Sequence, residues 1–153
     1  MLTDFTRVHR KLQDGMDIEW PFEIIAKIVK EYLEKYQDIG GIVTFDEYGV
    51  SGHVNHRALF GALKSTGKKL GVPLYKLKSI SVVTKFTFFF GAFIRYLVAS
   101  LGMTSNSHFF ASLDHYFKGR AAMFQHKSQL VWFRYLYLIS SQYMIYNELE
   151  RFD

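Results

Sequence analysis

The sequence predicts an α/β fold. An amphipathic helical run leads directly into Ile42-Val43-Thr44-Phe45, a short β-branched and aromatic segment of the kind that forms buried strands. A second helix and a second apolar run come next, so the order is helix, strand, loop, helix, strand. The loop between them contains glycines and falls at the carboxyl end of the first strand, where open α/β sheets hold their ligands.

Pro21 suits the first turn of the opening helix. Phe22, Ile25, Ile28, Val29, Tyr32, Leu33 and Tyr36 recur at helical spacing, with Glu23, Lys27, Lys30, Glu31 and Glu34 mostly opposite. The helix is expected over residues 21–37, stopped by Gly40-Gly41. Beyond it come a glycine-bearing loop over 46–52, a second helix over 53–66 and a second strand over 73–77. Residues 107–113 read as a strand, and Asp114 is placed to cap a helix from His115 to His126. Residues 130–147 are dense in aromatics and fit helix or strand.

The 153 residues suffice for one domain. Hydrophobic residues make up 49% and aromatics 18%, which excludes a disordered chain. The absence of cysteine excludes a disulfide scaffold, thiolate-ligated zinc and a thiol nucleophile in this chain. A net charge of +5 suits an anionic membrane surface or a phosphate-bearing substrate, and the scattered lysines give no nucleic-acid footprint. With no repeat, low-complexity tract or linker, residues 1–153 read as one domain.

The first fifteen residues mix charged and apolar side chains and lack the hydrophobic core of a signal peptide. Residues 86–113 carry one charge, Arg95. The apolar run 86–94 is shorter than the ~20 residues a bilayer span requires. Residues 96–103 are also apolar, but the polar run 104–108 interrupts them, leaving a buried core helix or a membrane-surface segment.

The informative segment is Thr44-Phe45-Asp46-Glu47-Tyr48-Gly49-Val50-Ser51-Gly52-His53-Val54-Asn55-His56. Two histidines three apart at a helix start share a face. Glycines 49 and 52 let the backbone turn sharply, and the helix N-terminus favours an anion or a developing oxyanion. Spacing alone leaves two readings open: a site pair, or a capping histidine beside a surface one. A hydrolytic zinc site takes three protein ligands and a water. The chain shows one pair; His108, His115 and His126 lack a comparable strand-end context, and His9 lies in a polar stretch expected to be exposed.

The segment Thr44 to Leu59 closely resembles the G-V-S-G-H-x-N-H signature of the PIG-L deacetylases, part of the wider LmbE-like family. Leu12-Gln13-Asp14-Gly15 followed by Trp20 resembles the family segment ahead of the first helix. Leu77-Lys78-Ser79 resembles its next strand. Gln125-His126-Lys127-Ser128-Gln129-Leu130-Val131-Trp132-Phe133-Arg134 resembles its H-[KR]-S-Q-x-x-W-F-R block. The resemblance implies a Rossmann-like, LmbE-type three-layer sheet with flanking helices. The family's opening A-H-P-D-D-E motif, which carries two metal ligands and the base, has no counterpart in this sequence, so the chain is expected to be an N-terminally truncated domain.

By the same resemblance, His56 is the third metal ligand, and His53 stabilises the oxyanion and assists proton transfer. Asp46, Asn55, His126 and Gln129 support the site, with Asn55 placed to orient His53. The implied reaction is hydrolytic removal of the N-acetyl group from N-acetylglucosaminyl-phosphatidylinositol, the second step of GPI-anchor biosynthesis, with zinc or another divalent metal as cofactor. The expected location is the cytosolic face of the endoplasmic reticulum membrane, and the expected partners are the lipid substrate and the membrane surface, not nucleic acid. The alternative is an inactive truncated form that binds a membrane or a partner.

Overall fold

A computed structural model of the chain describes residues 12–13, 15, 17–127 and 130–153. The protein is mixed α/β, with one parallel and one antiparallel pair of strands among its helices. It divides into two compact units, one running to Ser79 and including Glu150–Asp153, the other Ile80–Leu149.

In the first unit, helix α1 spans Phe22–Lys35. Pro21 stands just outside it at φ −61°, and its carbonyl accepts from the N–H groups of Ile24 and Ile25. The helix stops at Lys35 because Tyr36 turns extended (φ −120°, ψ 110°), ahead of the glycine pair expected to end it. Strand β1, Ile42–Phe45, has the predicted bounds. After the single turn α2, Gly49–Gly52, helix α3 spans Val54–Thr66 and leads to β2, Leu74–Leu77. β1 and β2 pair in parallel, Ile42 opposite Leu74 and Phe45 opposite Leu77. This is the crossover expected of a β-helix-β unit.

α1 packs on α3, and α3 on β1. Leu12, Ile25, Ala58 and Ala62 form the buried cluster, with Trp20, Ile28 and Leu59 against it. Gly61 permits the approach of α1, since a Cβ there would lie 2.4 Å from Cζ of Phe22. The tail closes on β2: the Phe152 N–H donates to the Leu74 carbonyl (3.1 Å), and Lys76 pairs with Glu150 (3.4 Å).

The second unit contains α4 (Val82–Lys85), α5 (Phe88–Ser100), β3 (Ser107–Phe110), α6 (Leu113–Gln125) and α7 (Trp132–Ser140). A 3₁₀ turn, Gln142–Met144, then leads into β4, Tyr146–Arg151. β3 and β4 are antiparallel, Ser107 opposite Leu149 and Phe110 opposite Tyr146. Ala92, Leu138, Tyr143, Ile145 and Tyr146 are buried. Arg95 pairs with the buried Glu148, which also accepts from the Asn106 amide (2.7 Å).

Three expectations change here. Ser112, rather than Asp114, caps α6: its Oγ accepts from the His115 N–H (3.3 Å), the geometry in which a cap hydroxyl reaches the third amide. Asp114 lies in the first turn and pairs with Lys118 (2.6 Å). Residues 130–147 supply helix, 3₁₀ turn and strand in succession. The apolar run 86–103 is not a core helix. In α5, Ala92 is buried while Phe89, Phe90, Phe93, Ile94 and Leu97 are exposed. Among the described residues, no helix is long and apolar enough to cross a membrane.

Candidate active site

The site begins where β1 ends. Asp46 is buried, and its carboxylate is fully engaged. Oδ1 accepts from the N–H groups of Tyr48 (3.2 Å) and Gly49 (2.9 Å), fixing the turn out of the strand. Ser79, just past β2, donates its N–H to Oδ2 and its hydroxyl to Oδ1, both at 2.6 Å. The Ser79 Oγ in turn accepts from the Val50 N–H (2.8 Å). One carboxylate and one hydroxyl thus tie together the ends of both parallel strands and the loop between them.

That loop is bent through the left-handed region at Gly49 (φ +69°), Val50 (φ +65°) and Gly52 (φ +76°). Two of the three are glycines, as the sharp turn requires. Val50 is the strained member, since a β-branched side chain is disfavoured at positive φ. Gly49 is needed for a second reason: a Cβ there would lie 2.8 Å from the Cβ of His56.

The loop delivers two imidazoles to the start of α3. His53 is the N-cap residue (φ −62°, ψ 128°), and its Nδ1 accepts from the Asn55 backbone N–H (3.2 Å). His56, in the first turn, is stacked on Phe45 (4.0 Å between centroids, 12° between planes), and its Nδ1 meets the Gly49 carbonyl at 3.0 Å. The two imidazole centroids are 5.1 Å apart. A carbonyl only accepts, so in the neutral His56 ring Nδ1 carries the proton and Nε2 presents a lone pair. In the neutral His53 ring, Nδ1 accepts, so Nε2 carries the proton and donates. The neighbouring histidines therefore offer opposite functions: one a basic or ligating nitrogen, the other a hydrogen-bond donor.

The other expected site residues fall differently. The bond from Asn55 to His53 comes from the backbone; its own carboxamide is buried and unpartnered among the described residues. His126 is exposed at the end of α6, in the second unit, and Gln129 lies outside the described residues. His108 bonds the Tyr146 hydroxyl (2.6 Å) and Thr104 (3.2 Å), and His115 bonds Ser112 (2.9 Å). Among the described residues, no three His, Asp or Glu side chains stand together as a metal site. Asp46, the buried carboxylate at the strand end, is consumed by the Ser79 clasp. The described residues by themselves therefore do not supply the three protein ligands that a catalytic zinc or other divalent ion takes. The role of Ser79 and the strain at Val50 are not legible from sequence reasoning; the only signal for Ser79 is a small polar residue just beyond the second strand.

The fold and site define a class first: an α/β protein with a histidine pair at a helix N-terminus, at the carboxyl end of a parallel strand. Comparison with known proteins narrows it. The chain is 34% identical over 154 residues to a Schizosaccharomyces pombe protein named "Probable N-acetylglucosaminyl-phosphatidylinositol de-N-acetylase", covering 97% of this chain and 62% of that protein. It is 34% identical to the Bos taurus N-acetylglucosaminyl-phosphatidylinositol de-N-acetylase (92% and 55% covered) and 29% identical to the Saccharomyces cerevisiae protein of that name (90% and 56%). Over nearly its whole length the chain is therefore similar to proteins named as de-N-acetylases. It spans about three fifths of the length of these curated relatives. No family model matches it, and no solved structure matches it.

Proposed function

We propose that the chain forms part of an LmbE-type deacetylase domain that hydrolyses the acetamide of N-acetylglucosaminyl-phosphatidylinositol, releasing acetate and leaving a free amine. The similarity to relatives carrying that name supports the substrate class. The observation that carries the chemistry is the complementary pair His53 and His56 on one side of a helix N-terminus. As water adds to the amide carbon, negative charge develops on the former carbonyl oxygen. His53 Nε2–H donates to that oxyanion, and the positive end of α3 lowers its energy further. His56 holds an unprotonated Nε2 beside it, fixed by Gly49 and by stacking on Phe45. Asp46 is not the base that activates water, because its oxygens already accept four hydrogen bonds. The membrane face of the endoplasmic reticulum remains the proposed place of action, supported by the exposed aromatic surface of α5 and α7.

The test is acetate release from N-acetylglucosaminyl-phosphatidylinositol, with bound zinc measured alongside. The 153-residue chain alone is expected to bind zinc substoichiometrically and to turn over near background. Joined to an upstream segment bearing H-P-D-D, it is expected to gain activity. His56→Ala should abolish that activity and the bound metal. His53→Ala should leave the metal bound and slow turnover about 10²–10³-fold, the usual effect of losing one oxyanion donor. Full turnover with one zinc per chain in the unextended protein would overturn this reading of the ligand set. Turnover indifferent to both substitutions would overturn the site.

A further inference from the structure

The peptide unit between Gly49 and Val50 is gripped from both sides. The Val50 N–H donates to the Ser79 hydroxyl oxygen (2.8 Å), and the Gly49 carbonyl accepts from Nδ1 of His56 (3.0 Å). A peptide unit is planar and its N–H and C=O point in opposite directions, so the orientation of one fixes the other. The Ser79 hydroxyl is itself held, donating to Oδ1 of Asp46 (2.6 Å). A continuous hydrogen-bonded line thus runs from the buried Asp46 carboxylate through Ser79 and one peptide to the His56 ring.

That peptide stands in its less favourable orientation. Val50 lies at φ +65°, where a β-branched residue is strained. A half-turn of the peptide would carry Val50 to negative φ and relieve it, and Gly49 supplies the freedom needed on the other side. The same half-turn would withdraw the Gly49 carbonyl from His56 and present the Val50 N–H in its place. Nδ1 of a neutral ring would then accept, and Nε2 would carry the proton. Stacking on Phe45 (4.0 Å between centroids) fixes the plane of the ring and not the place of its proton. We infer that Ser79 is a positioning residue for His56: its hydroxyl holds the strained peptide in the orientation that leaves Nε2 unprotonated. The use of that nitrogen in amide hydrolysis rests on the deacetylase reading; the place of the proton does not.

Proton–nitrogen correlation NMR of the imidazole rings in the 153-residue chain tests it, in mildly alkaline buffer where histidine is ordinarily neutral. The signals lost in His56→Ala assign the ring. The parent is expected to show His56 with its proton on Nδ1. Ser79→Ala is expected to move that ring toward the Nε2–H form, while Ser79→Thr, which restores a hydroxyl, keeps the parent pattern. In Ser79→Ala the main-chain N–H at position 79 still donates to Oδ2 of Asp46, so the strand ends stay tied. Ser79→Cys, near in size and with a weak sulfur acceptor, gives the same reading if Ser79→Ala fails to fold, which near-ultraviolet circular dichroism reports. In the chain joined to an upstream segment bearing H-P-D-D, Ser79→Ala should slow turnover about 10–100-fold, the usual effect of losing a partner that orients a histidine, and Ser79→Thr should restore it. An Nε2–H ring in the parent, or a folded Ser79→Ala or Ser79→Cys chain that keeps the parent tautomer, overturns the inference. Undiminished turnover in Ser79→Ala overturns the positioning role. No turnover in the extended parent overturns the deacetylase reading alone.

Discussion

Val50 concentrates the strain of the candidate site in one residue. It sits at φ +65° between two glycines of the same sign, with its N–H held by Ser79. A non-glycine residue in such a region costs about 1–3 kcal/mol. Val50→Gly removes that strain and loses about 0.5–1 kcal/mol to the freer unfolded chain. The variant should therefore gain about 1 kcal/mol of stability, read as a higher urea midpoint. Gly49→Ala should do the opposite, because the new methyl meets His56 Cβ at 2.8 Å and φ stays positive. A Val50→Gly variant less stable than the parent would show that the strain is not where the backbone places it. Asp46 is the other decisive residue. Asp46→Ala strands the Ser79 hydroxyl and the backbone N–H groups of Tyr48 and Ser79, while the Gly49 N–H keeps its bond to the residue 46 carbonyl, and the expected loss is about 3 kcal/mol by urea denaturation, in the range of a broken buried network. A loss under about 1 kcal/mol would mean that water replaces the clasp at little cost.

The elements explain why the pair of imidazoles is rigid. α3 starts at Val54 because His53 turns extended and caps it with its own ring, so one imidazole is part of the helix boundary. His56 is fixed one turn further in by stacking on the last residue of β1. The same logic of caps governs α6, where Ser112 and Asp114 compete in the sequence as start signals and the structure selects Ser112. Ser112→Ala should destabilise the chain by about 1 kcal/mol. Asp114→Ala removes only an exposed i,i+4 pair with Lys118 and a favourable charge in the first turn, together worth about 0.5 kcal/mol. Thermal melts of the two variants rank them, and a larger effect at Asp114 would return the cap to that residue.

Across the whole molecule, apolar surface is distributed unevenly. Phe90, Leu101, Leu113 and Trp132, all in the second unit, are at least 70% exposed. Single exposed hydrophobes are ordinary, and this density motivates the proposal that the surface meets another apolar phase. The chain should float with phosphatidylinositol-bearing vesicles, and Phe90→Glu with Trp132→Glu together should shift most of it to the unbound fraction. A parent chain that stays at the bottom of the gradient would rule out the membrane reading of this surface.

The sequence by itself determined the local features of the first unit and the likeness to the de-N-acetylases. Helical periodicity located α1, the β-branched run Ile42–Phe45 located β1, and the glycines at 49 and 52 announced the left-handed turns that the loop adopts. These are readable because each depends on neighbours within about one turn or one strand. The similarity to the de-N-acetylases bears out the motif resemblance. What the histidines offer chemically was decided by tertiary structure alone. Spacing brings His53 and His56 to one face, but only the Gly49 carbonyl and the Asn55 N–H assign their protons. Likewise, the sequence places Asp46 as a supporting residue of the loop, but only the tertiary structure supplies its partner Ser79, 33 residues away. Such pairings are set by how packed elements meet, a long-range property that carries no local periodicity to read.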